Sequence, residues 1–139
     1  MITMHEFEIK KMIRYAAEAR EKAYCPYSGF HVGACLKTKT GAYYLGCNIE
    51  NAGFTPTNCA ERTAMFKAIY DGERDFEALA VISDGANYIA PCGVCRQVLA
   101  EFCSADMPVI CADKDGNYVV HELGSLLPMA FTNADLEDK

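Results

Sequence analysis

Apolar positions along this chain recur with two periods, one near 3.6 residues and one near 2, and the switches between them mark the expected helices and strands. Phe7, Met12, Ile13, Ala16, Ala17 and Ala23 keep roughly helical spacing behind Thr3-x-x-Glu6, which has the form of a capping box. A first helix is therefore expected from about Met4 to Ala23, ended by Cys25-Pro26-Tyr27-Ser28-Gly29. Phe30 to Lys37 and Ala42 to Asn48 read as a β-hairpin around Lys39-Thr40-Gly41, with Val32, Ala34 and Leu36 facing the core. Asn51 to Asn58, which holds Gly53 and Pro56, is a loop. Ala60 to Tyr70 reads as a helix buried through Ala64, Met65, Ala68 and Ile69 and stopped at Asp71-Gly72.

Ala78 to Ser83 is continuously apolar, as expected of a strand covered on both faces. Asp84 to Pro91 is loop, and Val94 to Cys103 is a helix expected to turn Val94, Val98, Leu99 and Phe102 inward. Pro108 to Ala112 reads as another buried strand, Tyr118 to His121 as an edge strand, and Glu122 to Leu127 as one or two helical turns halted at Pro128. The order α-β-β-α-β-α-β-β-α predicts an α/β fold: a three-layer α/β/α sandwich with a mixed, five-stranded sheet. No repeat or linker interrupts the 139 residues, so one domain over residues 1–139 is expected.

Composition narrows the partner. A 51% hydrophobic content supports a real core, and a formal charge of −6 argues against a nucleic-acid partner and for a small neutral molecule. Met1 to Glu6 lacks a basic flank and an apolar run, and no stretch approaches the roughly 18 apolar residues of a membrane span. A cytoplasmic location is expected. There, the 8 cysteines read as buried thiols or metal ligands rather than disulfides.

Two stretches carry chemistry: Cys59-Ala60-Glu61-Arg62 and Pro91-Cys92-Gly93-Val94-Cys95-Arg96. Each sits at the predicted start of a helix. Cys59, Cys92 and Cys95 have the look of a three-thiolate zinc site, and three protein ligands leave the fourth tetrahedral position open, as in catalytic rather than structural zinc. On an ideal helix Cys59 and Glu61 point about 200° apart, so both reach one metal only if it lies off the helix end. Two helix N-termini then face the metal, and their partial positive charge favours thiolates. Arg62 and Arg96 are candidate donors to sulfur. A lone Cys-x-x-Cys is as often redox-active or incidental, and a structural four-cysteine zinc needs a closer fourth ligand than Cys103. The pairing with Cys-Ala-Glu is far more specific. Cys25, Cys35, Cys47, Cys103 and Cys111 read as small buried residues, and His5, His31 and His121 have no ligand-like spacing.

From Tyr24 to Phe131 the chain resembles the small cytidine deaminases of pyrimidine salvage. The resemblance rests on Pro26-Tyr27-Ser28-x-Phe30-x-Val32-Gly33-Ala34, Gly46-Cys47-Asn48-Ile49-Glu50-Asn51-Ala52, the two cysteine motifs and Leu126-Leu127-Pro128-x-Ala130-Phe131. It implies hydrolytic deamination of cytidine and 2′-deoxycytidine, one zinc per chain on Cys59, Cys92 and Cys95, and Glu61 as proton shuttle. It also implies that Asn48 and Glu50 hold the ribose hydroxyls, that Phe30 contacts the base and that Arg62 donates to the ligand thiolates. The assembly it implies is a homotetramer with shared active sites, Phe131 reaching a neighbour's pocket.

The residues permit these roles independently. Asn48 and Glu50, two apart on an expected strand, share a face and offer a donor–acceptor pair for a diol. Phe30 and Phe131 on their own read as core. Phe54 stands where many relatives carry Tyr, so that hydroxyl's hydrogen bond is missing here. Aminonucleoside-antibiotic deaminases share the cysteine motifs, but Asn48-Ile49-Glu50-Asn51 favours cytidine. A non-catalytic zinc-stabilised binding module has no use for Glu61.

Overall fold

The computed structural model describes residues 4–137. Helix α1 (Glu6–Arg20) begins at His5, whose side chain makes no capping bond; the expected cap residue Thr3 lies outside the described residues. It ends three residues earlier than its apolar spacing predicts. Tyr24 is drawn away to pair with the chain beside it, its amide donating to the Asn48 carbonyl (2.9 Å) and its carbonyl accepting from Glu50 (2.8 Å).

Five strands form one mixed sheet: β1 (Val32–Thr38), β2 (Tyr43–Cys47), β3 (Phe76–Ser83), β4 (Pro108–Ala112) and β5 (Tyr118–Glu122), in the order β2-β1-β3-β4-β5. All neighbours are antiparallel except β3 and β4, which run parallel with Ala80 opposite Ile110. That parallel pair requires a crossover, supplied by α3 (Gly93–Phe102). Helix α2 (Ala60–Tyr70) links β2 to β3, and α4 (Leu123–Leu126) and α5 (Asn133–Glu137) close the described chain. Tyr118–Glu122 is an edge strand, as its sequence predicts.

The central strands bury alternate residues on opposite faces. Leu79 and Val81 of β3 join Ala34, Leu36, Val109, Met65 and Leu99 beneath α2 and α3. Ala78, Ala80 and Ile82 join Cys35, Ile110, Met12 and Ala16 beneath α1. Two apolar layers flank one sheet, which is the expected sandwich. Each large aliphatic side chain so buried stabilises by about 1.5–3 kcal/mol.

Close approach depends on two glycines. A Cβ on Gly33 would lie 1.9 Å from the Ala16 carbonyl oxygen of α1, and one on Gly46 would lie 2.3 Å from the Ala60 carbonyl oxygen of α2. Gly46 therefore sets how near the start of α2 comes to the sheet. Among the described residues no helix is long and apolar enough to cross a membrane.

Candidate active site

Cys59 and Cys92 occupy equivalent places, immediately before α2 and α3, both in extended backbone and neither bonded to its own helix's free amides. Their thiols are thus free to project off the helix ends. Cys95 lies one turn inside α3 and is buried. The three sulfurs lie within 4.8 Å of one another, with Cys59 and Cys92 3.7 Å apart. Two thiolates bound to one tetrahedral zinc at about 2.3 Å must be about 3.8 Å apart. The donor set and its spacing fit one zinc per chain.

The cluster shares its protons unevenly: the Cys95 thiol, which donates to Cys59 and is buried, is pushed up. Three sulfurs this close cannot all be thiolates without compensating charge. The Cys59 thiol is pushed down to about 5, chiefly by a hydrogen bond from Cys95, then by Arg62 and Cys92. Arg62 Nη2 donates to Cys59 Sγ at 3.2 Å, as proposed for it from sequence. Arg96 does not share that role. Its Nε donates to the Pro91 carbonyl (2.7 Å) and its Nη1 to that of Leu126 (2.8 Å), tying the entry of α3 to α4.

Glu61, the second residue of α2, is 4% exposed. Burial pushes its carboxyl up to about 7, and the nearby Cys59 thiolate adds to the rise. It lines a pocket of about 250 Å³ with Cys59, Cys92, Phe30, Asn48, Glu50 and Ile89. Three larger clefts, of about 490, 480 and 390 Å³, lie at the other end of the sheet, along β2 and beside α2, and none is lined by Cys59, Cys92 or Cys95.

Asn48 and Glu50 reach this pocket without belonging to a strand. The strand β2 ends at Cys47, and only Ile49 continues the pairing, through single bridges to Tyr24 and Asn58. That short extended run still sends both side chains to one side. The Asn48 amide is engaged with backbone, accepting from Val32 N (2.9 Å) and donating to Phe30 O (2.8 Å). Glu50 accepts from the amides of Tyr27 (3.0 Å) and Ser28 (3.1 Å). Phe30, which read as core on its own, is 40% exposed at the pocket wall.

Phe131 is 59% exposed and outside the pocket of its own chain; its carbonyl accepts from Gln97 Nε2 (2.7 Å). Val94, expected inward, is 57% exposed, whereas its neighbour Cys95 is buried, so the first turn of α3 turns Cys95 and not Val94 inward. Phe54 is exposed, with φ 61° and its ring edge-on to Tyr27 at 6.4 Å. His31 pairs with Asp84, Nδ1 to Oδ2 2.8 Å, and among the described residues only the three cysteines cluster as metal ligands. Ser28, Thr57, Asn58 and Ile89 also line the pocket. Ser28 belongs to one of the motifs that carry the resemblance, but no local pattern marks it or the others as pocket residues, because they arrive from three loops.

Three thiols with a nearly neutral acid beside them, on two helix ends over an α/β/α sheet, define the zinc-dependent deaminase class. The chain belongs to that family: residues 7–111 match the cytidine and deoxycytidylate deaminase zinc-binding region. It is 50% identical over 129 residues to the cytidine deaminase of Sporosarcina psychrophila, covering 93% of this chain and 95% of that one. It is likewise 50% identical over 127 residues to the cytidine deaminase of Halalkalibacterium halodurans, covering 91% and 96%. The crystal structure of cytidine deaminase from Burkholderia pseudomallei superposes with a TM-score of 0.86 at 45% identity, covering 92% of this chain and 100% of that one.

Proposed function

We propose that the chain hydrolyses cytidine and 2′-deoxycytidine to uridine and 2′-deoxyuridine, releasing ammonia. The observation that carries this reading is the buried Glu61 set against Cys59, Cys92 and Cys95 in one pocket. The cytidine deaminases that match nearly the full chain support the substrate. Cys59, Cys92 and Cys95 would hold the zinc, which when bound would supply the Lewis acidity that makes water nucleophilic near neutral pH. Glu61 takes a proton from that water and places it on ring N3 as oxygen bonds to C4. It then takes the remaining proton from the new C4 hydroxyl and passes it to the amine, so that the C4–N bond breaks, ammonia leaves and C4 becomes a carbonyl. Burial raises the Glu61 carboxyl from its ordinary range, which favours its taking up and returning a proton in turn. Arg62 draws charge from the Cys59 sulfur and so limits how far three thiolates weaken the Lewis acid.

On this reading Phe30 lies against the base, and Asn48 and Glu50 face the sugar hydroxyls. The enzyme works in pyrimidine salvage in the cytoplasm, a setting suited to the free cysteines. It assembles as a homotetramer in which Phe131 completes a neighbour's site, a role its exposure permits. Mixing zinc-loaded protein with cytidine is expected to lower the cytidine absorbance, to stop with a chelator and to resume on adding zinc. Unchanged absorbance with zinc-loaded protein would overturn the activity. Light scattering that finds an active monomer would overturn the tetramer.

A further inference from the structure

Every hydrogen-bonding group that fixes the Glu50 carboxylate in the described structure comes from residues 27 and 28. One oxygen accepts the Tyr27 amide (3.0 Å) and the Ser28 amide (3.1 Å); the other accepts the Ser28 hydroxyl. The same hydroxyl oxygen accepts the Phe30 amide at 3.0 Å. At its other end the Phe30 peptide is held by Asn48, whose Nδ2 donates to the Phe30 carbonyl at 2.8 Å. The peptide of one pocket-wall residue is thus pinned on both sides by side chains of two others.

We infer that Ser28 is a positioning residue for sugar recognition: its hydroxyl orients the Glu50 carboxylate and joins it to the backbone that carries Phe30. This rests on the reading that Glu50 faces the sugar. The geometry requires the hydroxyl and not merely a small side chain. With three donors arriving from the loop side, the free lone pairs of the carboxylate are left to face the pocket. Glu50 also lies below the usual carboxyl range, with the Ser28 hydroxyl the largest cause, so it stays an ionised acceptor. Ser28 is exposed at the pocket edge, so removing its oxygen leaves no buried cavity.

The test compares KM for cytidine with the inhibition constant of 2′,3′-dideoxycytidine, which lacks both sugar hydroxyls. In zinc-loaded Ser28→Ala, cytidine KM is expected to rise about five- to tenfold, the size of one ordinary hydrogen bond, with kcat changed less than about threefold. The dideoxy inhibition constant should stay within about twofold, since that ligand offers Glu50 nothing to hold. Ser28→Thr should restore most of the loss, and Ser28→Ala should add little in a Glu50→Gln background. Unchanged cytidine KM in Ser28→Ala, or equal weakening of both ligands, overturns the inference while leaving the sugar contact standing. Unchanged cytidine KM in Glu50→Gln overturns the sugar contact, and the inference with it.

Discussion

Gly46→Ala offers a demanding test of how the site is held, because residue 46 touches no substrate. The added Cβ would lie 2.3 Å from Ala60 O, 2.6 Å from Ala64 N and 3.1 Å from Ala64 Cβ. Two of these are backbone atoms of α2, so no side-chain rotation relieves them. Ordinary contact begins at 3.4 Å, so the start of α2 must retreat by 3.4 − 2.3, about 1.1 Å. Overpacking of this kind costs about 1–3 kcal/mol. The helix that retreats carries Cys59 at its head and Glu61 in its first turn, whereas Cys92 and Cys95 ride on α3.

A misplacement near 1 Å costs about a hundredfold in rate. The expectation is a melting temperature lower by roughly 5–10 °C, weaker zinc retention and kcat/KM down about a hundredfold. Gly93→Ala is the internal contrast: its Cβ would meet nothing within 4 Å and its backbone is helical, although it lies between two of the cysteines. That variant is expected to fold at least as well as the parent. Scanning calorimetry, metal analysis and steady-state kinetics on the two variants check the argument. Parental stability, zinc content and kcat/KM in Gly46→Ala would refute it.

Glu61→Gln keeps the size and much of the polarity of the side chain. It is expected to retain zinc while losing at least about 10⁴ in kcat; loss of the metal, or more than about a tenth of parental kcat, would show that protons travel elsewhere. Burial pushes the thiols of Cys35 and Cys103 up to about 12 and that of Cys111 to about 11. Native protein treated with iodoacetamide near pH 8 should leave all three unlabelled, and stripping zinc should open exposed Cys92. Labelling of Cys35 before Cys92 in stripped protein, read by peptide mass, would contradict this. The Asp84 carboxyl is exposed; what desolvation it has raises it, yet the backbone N–H and ring of His31 hold it below its usual range. A depressed carboxyl stabilises above its unfolded value and loses that effect as pH falls through the folded one. Asp84→Ala should therefore lower the urea midpoint at pH 7 and converge on the parent towards about pH 3; an equal gap at both would refute the linkage.

The elements most legible in sequence were those whose ends carry strong local signals. Ala60–Tyr70 is bounded by Cys59 and by Asp71-Gly72, and Pro108–Ala112 is a short apolar run opened by proline; both match their predicted bounds. The cysteine–glutamate cluster was legible too, since its residue types at that spacing have few other uses. What escaped depends on distant partners. Val94 fits an inward stripe, but it is Cys95, one residue on, that the fold buries in that turn. Arg96 has the same local setting as Arg62, yet carbonyls of Pro91 and Leu126, 5 and 30 residues away, claim it. The tie from Ser28 to Glu50 spans 22 residues and leaves no periodic trace.

The two thiols that precede α2 and α3 lie 33 residues apart in the chain, with β3 between them. Early in folding those helix ends have no reason to meet; they converge only after β3 has found β1 on one side and β4 on the other. The expectation is that metal capture follows the non-local strand pairing rather than nucleating it. Once made, it clips a long loop shut, and such closures stabilise most when the spanned segment is long. Residues 59–92 should accordingly exchange their amide hydrogens as one unit, slowly with zinc present and faster once it is withdrawn, while the α1 face of the sheet keeps its protection.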